Sequence, residues 1–202
     1  SAVGNPGVTG VGHVRNSNSL VYSTPMFSGF SAQLGYAFKT TADALSLPAA
    51  TTAAGDITDI AANYKNGPFR AGVSFYTVGA TTSGAIKNEQ TNLYAQYDIF
   101  GATLYLGAHT EKAAVTGNKA DGMNLAVKYA LTPSVNLLAN FGQLNDKSVN
   151  NFDKKIAAVG AQYMLSKNTS LYARYVDEQN DNTTGTAVKK VQTTLFGMQT
   201  NF

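Results

Sequence analysis

The side chains able to do chemistry in this chain are few, and they share one parity. Charged residues make up only 13% of the sequence. Asp59, Arg70, Asp98, Lys128 and Arg174 each lie inside a segment where apolar and polar residues alternate. Each takes the polar parity, opposite the Leu, Val, Phe and Tyr positions. Charges spaced this way do not converge on a reacting atom. They line a wall, and a charged wall beside water selects ions by sign. Catalytic groupings are not apparent. His13 and His109 are the two histidines, far apart in sequence, and neither sits in a pattern that pairs a nucleophilic serine with an oriented base. With no cysteine there is neither a disulfide framework nor a thiolate metal site. Asp177, Glu178 and Asp181 could offer oxygen ligands to Ca²⁺, but read as a solvated loop edge. Gly7, Gly10 and Gly12 lack the helix and lysine that complete a phosphate loop. We expect no enzyme activity, no metal and no cofactor.

The elements carrying these charges are strands. Period-two alternation marks eleven segments, roughly 16–24, 30–39, 56–65, 69–78, 89–98, 101–111, 122–131, 135–145, 155–165, 169–178 and 191–202. Most approach the ~9–11 residues with which a tilted strand crosses a bilayer. No stretch approaches the roughly 18 apolar residues of a membrane helix. Connections alternate between short turns, such as Asn66-Gly67-Pro68 and Thr132-Pro133-Ser134, and longer segments rich in Thr, Ala, Asn, Asp and Gly. In an up-and-down meander all short turns share one side. That asymmetry is the pattern of short periplasmic turns and longer external loops.

Face assignment follows from parity. Phe30, Leu34, Tyr36 and Phe38 oppose Ser31, Gln33 and Lys39; Leu104 and Leu106 oppose Tyr105, His109 and Glu111. A Lys or Arg facing lipid at the midplane costs roughly 2–4 kcal/mol, so the placement of every mid-strand charge on one face is expected of a membrane barrel. Outward aromatics Tyr36, Phe38, Tyr64, Phe69, Tyr97, Tyr129, Tyr163, Tyr175 and Phe202 are expected near strand ends, as interfacial girdles. The expected fold is all-β, a transmembrane antiparallel up-and-down β-barrel. Net charge is +3 and no Lys/Arg run points to nucleic acid. Eleven strands is an odd number, whereas bacterial single-chain barrels have even counts. Residues 1–15 are Gly-rich and irregular and supply no twelfth strand.

The segment Arg15-Asn-Ser-Asn-Ser-Leu-Val-Tyr-Ser-Thr-Pro-Met-Phe-Ser-Gly-Phe30 closely resembles a motif of Gram-negative general diffusion porins, of the group found in β-proteobacteria such as Neisseria, Bordetella, Burkholderia and Comamonas. Ser170-Leu-Tyr-Ala-Arg-Tyr175 and the ending Gly197-Met-Gln-Thr-Asn-Phe202 resemble the last two strands. The resemblance implies a 16-stranded homotrimer whose third loop narrows the lumen. Residues 1–15 would then be the end of that constriction loop, and 16–202 the sixth to sixteenth strands, about 11 of an expected 16.

The resemblance further implies a Gram-negative outer-membrane porin, crossing the membrane many times, through which ions and small hydrophilic solutes diffuse passively. Its partners would be outer-membrane lipid and, through Phe202 as an assembly signal, the barrel-assembly machinery. By resemblance Arg15 takes the constriction arginine's position. Arg15, Arg70, Lys128 and Arg174, with Lys39 near the external mouth, are the candidate pore-lining set, favouring weak anion preference against Asp59, Asp98 and Glu111. The competing function is a non-channel outer-membrane barrel, structural or adhesive. Bulky inward residues would mark it, and the expected inner set is small and polar.

Overall fold

The computed structural model describes residues 18–38, 56–79, 88–112, 119–148, 153–180 and 189–201. They form eleven strands: β1 (Ser19–Ser23), β2 (Phe30–Ala37), β3 (Ile57–Asn66), β4 (Phe69–Val78), β5 (Asn88–Ile99), β6 (Ala102–Lys112), β7 (Lys119–Thr132), β8 (Val135–Asp146), β9 (Lys154–Met164), β10 (Thr169–Asn180) and β11 (Lys189–Thr200). All pair antiparallel with their sequence neighbours in one sheet, in the order β1 to β11. β1 and β11 form the two edges and are not paired with each other. The expected constriction-loop segment 1–15, Lys39 and Phe202 lie outside the described residues.

Three short connections owe their tightness to backbone chemistry. Ser28 and Gly29 have φ of 48° and 86°, and Phe100 and Gly101 have φ of 46° and 78°. Two consecutive positive φ values are the mark of the type I′ turn, whose twist matches that of the flanking strands. Gly67 has φ 53° and precedes Pro68, the order a type II′ turn favours. Phe100 is the strained member. A bulky side chain rarely adopts this region, and Phe100 is 94% exposed, so packing gives nothing back. Phe100→Asn, which restores the preferred Asn-Gly pair, is expected to stabilise the folded state by about 0.5–1 kcal/mol, read as a higher urea midpoint in lipid vesicles.

The sheet has almost no core. Among the described residues only Ala37, Ala120 and Leu144 are buried apolar side chains. Leu34, Ile60, Phe75, Leu93, Leu106, Leu125 and Met198 are all exposed, and the register places them on one face. Leu34 pairs with Ile60, Ile60 with Phe75, Leu106 with Leu125, and Leu171 with Met198. A water-soluble protein does not leave such a surface uncovered. With no helix among the described residues to cover it, lipid is the solvent that suits this face.

An aromatic row closes that face at the short-turn end. Phe30 pairs with Tyr64, Phe69 with Tyr97, and Ala102 with Tyr129, and Tyr163 stands opposite Val135 and Leu171. The rings of Phe30 and Tyr64 are 4.5 Å apart and those of Tyr64 and Phe69 6.3 Å. Tyr36 and Phe38 meet edge-on at 5.0 Å near the opposite end. Tyr175 departs from the expected girdle. It pairs with Val159 and Thr194 in the middle of β10, because the strand continues to Asn180, past the expected end at 178.

Candidate functional site

The opposite face carries the charges. On β3 and β4 the residues Lys65 and Arg70 are cross-strand partners. Arg70 is in turn opposite Gln96 on β5. Asp98 pairs with Thr103, and Thr103 with Lys128. The same hydrogen-bonded row runs on through Leu138 and Gly160 to Arg174. The structure thus gathers Arg70 and Lys128 on one stretch of wall near the short turns and sets Arg174 along the same row, nearer mid-strand. Arg15 and Lys39 lie outside the described residues. Lys65 closes the expected segment 56–65 and was missed in the sequence because, beside the Asn66-Gly67-Pro68 turn, it is not a mid-strand charge.

Asp98 anchors this patch. Thr103 Oγ1 donates to its Oδ1 at 2.7 Å, and Gln96 Nε2 donates at 3.4 Å. The Arg70 guanidinium stands 3.9 Å from the other carboxylate oxygen. Both side chains are substantially exposed, so this ion pair adds little to stability. Arg70 therefore keeps much of its field toward the open side. Lys65 and Lys128 have no carboxylate within ion-pair distance among the described residues.

Nearer the long connections the wall changes sign. Asp59, Glu111, Asp146 and Glu178 take the same parity there, against Lys154 and Lys189. His109 is buried and bridges two of its neighbours. Its Nδ1 lies 2.6 Å from Asn92 Oδ1 and its Nε2 3.3 Å from Glu111 Oε2. Asn92 Nδ2 donates on to Ser74 Oγ at 3.2 Å. Ser74 therefore meets the asparagine and not the imidazole. The network fixes side chains and provides no Ser–His nucleophile.

Glycines let large polar rings lie flat on this wall. A Cβ on Gly72 would run into the Tyr94 ring and Asn63 Oδ1, and Tyr94 Oη donates to that same Oδ1 at 2.9 Å. A Cβ on Gly197 would run into Tyr172, whose ring carries the Arg174 guanidinium 4.8 Å above its centroid. Flat rings leave depth beside the wall that upright ones would fill. The wall is less uniformly polar than alternation implied. Leu138, Leu144, Ile156, Val176, Val191 and Leu195 take the inward parity on β8 to β11, where Leu144 packs with Ala120 and Ile156.

The acidic trio weighed as a cation site does not converge. Asp177 takes the apolar-face parity and binds Gln192 at 2.9 Å and Lys190 at 3.2 Å, while Glu178 takes the opposite face. Asp181 lies outside the described residues. No group of three or more His, Asp or Glu among the described residues is placed to hold a metal ion.

The decisive comparison is with families. A model described as Gram-negative porin matches residues 1–183. The chain belongs to the Gram-negative porin family. Solved porin-like structures share its fold. An anion-selective porin from Comamonas acidovorans superposes with a TM-score of 0.67 at 21% identity, covering 92% of this chain and 58% of that one. Outer-membrane expressed OmpT of Vibrio cholerae gives 0.67 at 13% identity, covering 90% and 64%. In-vitro folded OmpT in its trimer form gives 0.63 at 14%, covering 89% and 62%. The porin chain described here thus spans about three fifths of the length of these structures. No curated protein matches the sequence. Membership in the porin family accounts for a sheet with an apolar outside and a charged inside.

Proposed function

We propose that this porin forms a water-filled outer-membrane channel for passive diffusion of ions and small hydrophilic solutes, with weak anion preference. One observation carries the reading. From β2 to β7 the register sorts most exposed aliphatic and aromatic side chains to one face and the mid-strand charges to the other. Lipid suits the first face and water the second. The anion preference rests on Lys65, Arg70, Lys128 and Arg174, and on Arg15 and Lys39 where they reach the lumen. The homotrimer and the assembly role of Phe202 are part of the same proposal. The trimer form of OmpT, similar in fold, supports the first.

The test is single-channel recording in a planar bilayer with the full-length protein, and the zero-current potential across a KCl gradient. Discrete conductance steps and a potential of anion sign are expected. A folded barrel that passes no current would overturn the channel and leave a structural or adhesive barrel, a reading to which the inward aliphatic cluster on β8 to β11 would then belong.

A further inference from the structure

Part of the charged face is aliphatic where a wetted wall would be polar. Lys128, Leu138, Gly160, Arg174 and Leu195 are successive cross-strand partners in one row. The next row toward the long connections runs through Tyr105, Ala126, Asn140, Ala158 and Val176. Between the two cations the wall therefore presents Leu138, Gly160, Ala126 and Ala158, with the amide of Asn140 among them. Gly160, Ala126 and Ala158 carry one side-chain carbon or none, so this floor is low and flat. Tyr105 stands exposed at its β6 end. At about 4.8 Å per strand, the backbones of Lys128 and Arg174 are roughly 14 Å apart.

Both cations are open to a ligand. Lys128 and Arg174 are exposed, and neither has a carboxylate within ion-pair distance among the described residues. Arg174 is also held in place. A Cβ on Gly160 would stand 3.0 Å from the Arg174 Cγ, so the aliphatic stem lies against bare backbone. Its guanidinium rests 4.8 Å from the centroid of the Tyr172 ring. Stacking covers one face of the guanidinium and leaves its N–H edge for a carboxylate. Apolar surface facing water gains free energy when something apolar covers it. A sugar would give up its own hydration on such a floor, and a small anion would leave the floor bare. A flat hydrocarbon body bearing a carboxylate satisfies floor and cations together. We propose that the wall between Lys128 and Arg174 is a binding subsite for aromatic carboxylates, with the ring on Leu138, Gly160, Ala126 and Ala158 and the carboxylate drawn by the two cations. The inference deepens the channel reading by naming a solute class, and it rests on the charged face meeting water.

The full-length protein, folded in zwitterionic micelles, is titrated into para-fluorobenzoate and followed by fluorine NMR line width, with empty micelles as the blank. Broadening beyond the blank is expected, and excess benzoate should reverse it. Acetate and benzyl alcohol at the same concentration should not, because one lacks the ring and the other the charge. Leu138→Asn places an amide on the face where Asn136 and Asn140 already present theirs. It is expected to weaken binding about fourfold, the worth of one methylene left in water, while Leu138→Met keeps it. Lys128→Gln and Arg174→Gln are each expected to weaken binding about threefold, and Lys128→Arg to keep it, which separates loss of charge from loss of fold. Displacement by acetate or by benzyl alcohol as effective as by benzoate, or unchanged binding in Leu138→Asn, overturns the proposal. So does broadening no greater than the blank, which would mean that another part of the chain covers the floor. Benzoate binding that follows these expectations in a barrel that passes no current would sink the channel reading and leave the subsite. A conducting barrel that does not bind benzoate would do the reverse.

Discussion

Replacing Lys65, Arg70 and Lys128 together by glutamate is expected to reverse the sign of the zero-current potential. These residues stand within one stretch of the charged wall, joined by the pairing of Lys65 with Arg70 and of Thr103 with Lys128. The adjacent counter-charge is Asp98, whose Thr103 and Gln96 hydrogen bonds do not involve Arg70. Three cations become three anions, a change of six charges in one zone. With the KCl gradient held below about 0.1 M, the Debye length is about 10 Å, and fixed wall charge reaches the permeating ion. The potential should move from anion to cation sign and collapse toward zero near 1 M, where that length is about 3 Å. Lys155→Glu, on the lipid side of the sheet, should leave it unmoved. An unchanged potential in the triple variant would mean that ions do not pass along this wall.

The logic of that experiment was largely visible in the sequence, because strand parity is a local property. Leu104 and Leu106 against Tyr105 and His109 fix a face without any knowledge of partners. The turns were visible for the same reason, since Asn66-Gly67-Pro68 and Gly101 mark theirs in residue type, although Phe100 does not. What alternation cannot show is register. That Asn92 stands opposite His109, or that Lys65 faces Arg70, depends on how neighbouring strands slide against each other. Boundaries failed where both faces become polar. β7 was expected from 122 and begins at Lys119, because Lys119 and Asp121 continue the ladder outward above the apolar band, where hydrophobic contrast has gone. The same loss of contrast hid Lys112 and Lys119, which read as loop margins until pairing sets them opposite one another. The inward Leu138, Leu144 and Ile156 were hidden differently. They sit among Ala, Val and Leu on both parities of β8 and β9, so neither face reads as polar.

Leu106→Arg should separate a lipid-facing sheet from a water-facing one. Leu106 sits at the middle of β6, 52% exposed, between Ala95 and Leu125 on the apolar face. In water an exposed Leu→Arg change would be nearly neutral, within about 0.5 kcal/mol. At the midplane of a bilayer the same change costs about 2–4 kcal/mol, since the guanidinium must be drawn to an interface several residues away. Tyr105→Arg, one residue earlier and on the charged face, supplies the control. It should fold into vesicles as readily as the parent and add to the wall's positive charge. Urea titration of both variants in the same lipid would show a large fall in midpoint for Leu106→Arg alone. Equal midpoints would mean that the apolar face does not meet lipid, and the assignment of outside and inside would have to be abandoned. Adjacent residues on one strand are thus expected to differ by the free energy between hydrocarbon and water, a contrast that follows from the alternation of their side chains across the sheet.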